Sequence, residues 1–66
     1  MKNLTNSMLD KMIGVNVDDV IESLRIYNNV IGWAFDEVDD LIIETNKTRY
    51  ILGIVGDYIA FWIKGI

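Results

Sequence analysis

The chain predicts an α+β fold, with one or two short N-terminal helices packed on an antiparallel β-meander of three to four strands. Three observations carry that reading. A well-formed helix start stands at Asn16, the composition from Val30 onward turns to Ile, Val, Trp, Tyr and Phe, and Gly56-Asp57 separates two β-rich runs of matched length.

In the first element, Ser7 is placed to cap a short helix with Asp10 three residues on. Met8, Leu9, Met12 and Ile13 share a face, and Gly14 suits the stop. The second helix is expected over about residues 17 to 28. Asn16 is its N-cap, Asp18 and Asp19 favour the positive end of the helix dipole, and Val15 and Val20 occupy the staple positions. Val17, Val20, Ile21, Leu24 and Tyr27 continue at helical spacing, and Asn28-Asn29 marks the end.

Four strands follow, at Val30 to Phe35, Leu41 to Thr45, Arg49 to Val55 and Tyr58 to Lys64. Gly56-Asp57 is a good two-residue turn. Asn46-Lys47 is a weaker one, because Lys carries a positive φ poorly. Two-residue registers at both turns set Val55 opposite Tyr58, Ile51 opposite Trp62, Leu52 opposite Phe61 and Glu44 opposite Arg49, with Lys64 beyond. Alternation then gives one apolar face of Leu41, Ile43, Tyr50, Leu52, Ile54, Ile59, Phe61 and Ile63, suited to lie under the helices. The other face carries Ile42, Ile51, Val55, Tyr58 and Trp62 at its centre, and these five are the expected partner-binding residues, with Trp62 as the anchor.

A mainly helical alternative exists. Val17, Val20, Leu24, Tyr27, Ile31, Ala34, Val38 and Leu41 also repeat in three-four alternation, as in one long helix over 17–41. Gly32, Asn28-Asn29 and the β-branched and aromatic density after Val30 oppose it.

Residues 1–66 read as one small domain with no internal repeat and no proline. Such a body buries only about 60 % of the surface of its unfolded chain, so a compensating device is expected. Cysteine and histidine are both absent, which removes disulfides, thiolate or imidazole catalysis and zinc sites. No cofactor and no metal are therefore expected, and a body this small shapes no cleft for paired-carboxylate catalysis. The chain is expected not to be an enzyme.

Hydrophobic residues make up 52 % of the sequence, more than one compact core of this size hides, so some apolar surface should remain for an interface. The function expected is that of a non-enzymatic protein-binding module, an inhibitor or adaptor, acting through an apolar sheet face or as a homo-oligomer. The net charge of −4 and the scattered Lys and Arg oppose direct nucleic-acid binding. Asp36, Glu37, Asp39 and Asp40 form an acidic patch. It reads first as a solvated turn, and as an alternative it makes the chain a nucleic-acid mimic that inhibits a nucleic-acid-handling protein. The patch lacks EF-hand spacing.

A third alternative is a small membrane-associated peptide, since Tyr50 to Ile63 is strongly apolar. That run is shorter than the about 20 residues a spanning helix needs, and Gly56-Asp57 interrupts it. The N-terminus lacks the apolar core of a signal peptide, so the cytoplasm is the expected location.

Overall fold

The computed structural model describes residues 2–65. Two helices, α1 (Asn6–Met12) and α2 (Val17–Leu24), precede four strands, β1 (Val30–Phe35), β2 (Leu41–Thr45), β3 (Arg49–Val55) and β4 (Tyr58–Lys64). The strands form one antiparallel sheet in the order β1-β2-β3-β4. This is the α+β arrangement, and the long helix over 17–41 is absent: α2 ends at Leu24 and the chain is extended by Val30.

Helix α1 begins two residues earlier than its sequence suggests. Thr5, not Ser7, is the N-cap, its hydroxyl accepting from the Met8 N–H. Asn16 caps α2 as expected, accepting from the Asp18 N–H at 2.8 Å, with Asp18 and Asp19 in the first turn. The helix stops at Leu24 instead of near residue 28. A contact far away in sequence accompanies the stop: the chain tightens into turns, Ile26 N–H donating to the Ser23 carbonyl and Tyr27 N–H to the Leu24 carbonyl, both at 3.2 Å, while Lys2 bridges to Tyr27 in parallel fashion and the Asn28 N–H donates to the Lys2 carbonyl at 2.8 Å. Asn29 completes the junction, its side-chain amide accepting from the Leu4 N–H and donating to the Leu4 carbonyl.

Both helices cover the same sheet face. Leu4, Leu9, Met12, Val20 and Leu24 close over Leu41, Ile43, Tyr50, Leu52 and Ile59, which together form the buried core. Residues that share a strand face lie two apart, so the alternating burial of β2 records one covered side and one open side.

The turns follow their residues. Gly56 takes φ +62 at the first loop position of the β3-β4 hairpin, a conformation that costs glycine little. The β2-β3 hairpin solves its lysine problem differently: neither Asn46 nor Lys47 has a positive φ. The buried Thr45 hydroxyl holds that loop, donating to the Thr48 carbonyl and accepting from the Lys47 and Thr48 N–H groups.

Candidate interaction surface

The β2-β3 register is the one expected, with Glu44 opposite Arg49 and joined to it by a 2.7 Å ion pair. The β3-β4 hairpin starts as expected, Val55 opposite Tyr58 and Ile54 opposite Ile59. Then it slips. Gly53 pairs with Phe61, so Ala60 is an extra residue on β4, and the partners become Leu52 with Trp62, Ile51 with Ile63 and Tyr50 with Lys64. A one-residue bulge reverses the facing of every side chain beyond it.

The inversion corrects four placements. Trp62, expected as the outer anchor opposite Ile51, lies on the helix-covered face. There its ring meets Tyr50 edge-on at 5.8 Å, and its Nε1–H donates to the Asp10 carboxylate of α1 at 2.8 Å. Phe61 and Ile63, expected beneath the helices, stand on the open face. Lys64 sits across from Tyr50, no longer beyond Arg49.

The open face therefore gathers Ile42, Ile51, Val55 and Tyr58 from the expected set, with Phe61 and Ile63 in place of Trp62. Val55 is 70 % exposed, Tyr58 56 %, Phe61 50 % and Ile63 51 %, while Ile42 and Ile51 are half-buried between their neighbours. Phe61 lies directly over Gly53: a Cβ built on that glycine would fall 2.2 Å from the ring. Gly53 is buried in consequence. Residue type held a signal for this pairing, because a glycine in a strand interior is commonly covered by an aromatic ring from the neighbouring strand. Among the described residues the only charges on the open face by register are Glu44 and Arg49, which neutralise each other at one end.

The acidic residues occupy the loop between β1 and β2. Glu37 and Asp39 are exposed, whereas Asp36 and Asp40 are half-buried. Asp36 organises the loop, its Oδ1 accepting from the Val38 and Asp40 N–H groups at 3.0 and 2.9 Å, and Asp39 takes the left-handed φ of 63° that closes it. One of the four carboxylates is thus engaged in shaping the turn. Among the described residues no cluster of acidic side chains is placed to hold a metal ion, and no helix is long and apolar enough to cross a membrane.

Comparison with models of known protein families, with curated proteins and with solved structures found no match to this chain.

Proposed function

We propose that the chain is a non-enzymatic protein-binding module whose open sheet face is the binding surface. The observation that supports this most is the one-sidedness of the fold. Both helices pack on one face, and Val55, Tyr58, Phe61 and Ile63 stand at least half exposed on the other. A connected apolar strip of this kind gains free energy when a partner removes it from water, and Phe61 in its interior and Tyr58 at its turn end are rigid side chains suited to anchor a contact.

The partner fitted to this face presents an apolar, uncharged surface, since the strip itself bears no net charge. An inhibitor or adaptor role follows from binding without catalysis. The experiment compares proteins retained by the immobilised wild-type chain with those retained by Phe61→Lys and Val55→Lys, alongside an Asp39→Asn/Asp40→Asn control. A partner held by the wild type and the control but lost from both lysine variants supports the reading. A partner lost only from the control transfers function to the acidic loop.

A further inference from the structure

The two edges of the sheet are treated differently. The segment between the helices covers the start of β4: Gly14 N–H donates to the Ile59 carbonyl at 2.7 Å, Ile59 N–H to the Val15 carbonyl at 3.0 Å, and Val17 N–H to the Asp57 carbonyl at 2.8 Å. The Ala60 bulge and Lys64 protect the remainder. Strand β1, Val30-Ile31-Gly32-Trp33-Ala34-Phe35, has neither charge nor proline, and only the irregularity at Ile31 interrupts it.

Its free hydrogen-bonding groups can be assigned. Asp36 N–H donates to the Asp40 carbonyl, so by alternation Ala34 and Gly32 direct their backbone groups toward β2, and Trp33 and Phe35 direct theirs away from the sheet. Among the described residues nothing bonds to them. The Trp33 and Phe35 rings share the helix-side face with Ile43 and Leu41, stay 44 % and 48 % exposed, and pack edge to face at 5.8 Å.

We infer that β1 is a homodimerisation edge, pairing antiparallel with β1 of a second copy about a two-fold axis at Ala34 to double the four-stranded sheet. In that register Trp33 and Phe35 each exchange both backbone hydrogen bonds with Phe35 and Trp33 of the second copy, satisfying every outward group of the regular part of the strand. The four rings gather on one face between the two helical layers, and the small Ala34 side chains meet at the close, non-bonded pair.

Charge favours a second copy as the occupant. Antiparallel pairing carries the loop of Asp36, Glu37, Asp39 and Asp40 alongside the start of β1 in the other copy. Lys2 is bridged to Tyr27 there, and Arg25 lines a shallow cavity with Trp33, Ile31 and Ile21. Each acidic loop thus meets Lys2 and the Arg25 guanidinium, the latter shared with Glu22 at 2.6 Å, across the axis. This surface is distinct from the open sheet face and stands without it, although both open faces would lie on the same side of the doubled sheet.

The test is sedimentation of the full chain at roughly 0.1 mM, where a micromolar dimer is populated, with variants checked for fold by circular dichroism. Twice the monomer mass is expected for wild type and for Phe61→Lys. Monomer mass is expected for Trp33→Lys, which sets a charge among the rings, and for Phe35→Pro, which removes an outward N–H while sparing the β1-β2 ladder. Ala34→Cys, in a chain with no other cysteine, should oxidise to a disulfide-linked dimer, since Cα atoms of a non-bonded antiparallel pair lie about 4.5 Å apart, within disulfide reach. Val38→Cys, exposed on the loop, should not. A monomeric wild type, a dimer unaffected by both β1 variants or dissolved by Phe61→Lys, or an Ala34→Cys chain that fails to crosslink overturns the inference.

Discussion

The Trp62 indole donates a 2.8 Å hydrogen bond to Asp10, tying the last strand of the sheet to the first helix across 52 positions of sequence. The bond exists because the Ala60 bulge turns Trp62 toward the helices. If the register ran without it, the indole would stand in water on the opposite face.

Trp62→Phe should therefore destabilise the fold, by about 1 kcal/mol for the lost hydrogen bond at this exposed site. Asp10→Ala should cost a similar amount, and the double variant little more than either, because the two share one interaction. Urea unfolding of the four proteins measures this. Additive losses would show that the residues do not act together.

Gly53 and Phe61 give a second coupling. Gly53→Ala drives a Cβ into the Phe61 ring, which must lift from the sheet because its far end is free to move. The expected loss is about 1 kcal/mol in the wild type. In a Phe61→Ala background the same change should be neutral or stabilising, as alanine is less costly than glycine in a strand. A double-mutant cycle reads the difference directly.

The acidic loop should not respond uniformly. Asp36→Ala removes the acceptor for two backbone N–H groups and should cost about 1–2 kcal/mol. Asp39→Gly should stabilise by up to about 1 kcal/mol, because glycine holds the positive φ without strain. Glu37→Ala, exposed and without a hydrogen bond among those described, should stay within about 0.5 kcal/mol. Thermal melts of the three variants order them.

Asn29→Ala should loosen the N-terminal segment selectively. It strips both partners from the backbone of Leu4, a residue only 3 % exposed, at a cost of about 2 kcal/mol. Hydrogen exchange should show protection falling at Leu4 and Asn28 first, with Leu52 and Ile43 keeping theirs.

What the sequence made legible, and what it hid, follows from the range of the interactions involved. All four strands were readable from β-branched and aromatic runs between turn residues, and Asn16 from its cap position and the acids behind it, since these are local signals. Four of the open-face residues, Ile42, Ile51, Val55 and Tyr58, came from alternation counted outward from the turns. The count failed at Ala60, because the bulge carries no glycine or proline of its own and its one mark, Gly53, lies on the neighbouring strand, and one extra residue exchanged Trp62 for Phe61 and Ile63. The end of α2 was hidden for a related reason: Lys2 and Tyr27 meet beside it, and neither announces the other.

The salt dependence of partner retention tests the central claim, that the open sheet face is the binding surface, most directly. The immobilised chain is washed with sodium chloride rising from roughly 0.1 to 1 M, over which the Debye length falls from about 10 to 3 Å. Retention through an apolar strip should hold across the whole range and vanish with Phe61→Lys at every salt concentration. A partner that washes off steeply as salt rises, and that Phe61→Lys binds as well as wild type, would contradict the account and place recognition on the charged loop of Asp36 to Asp40.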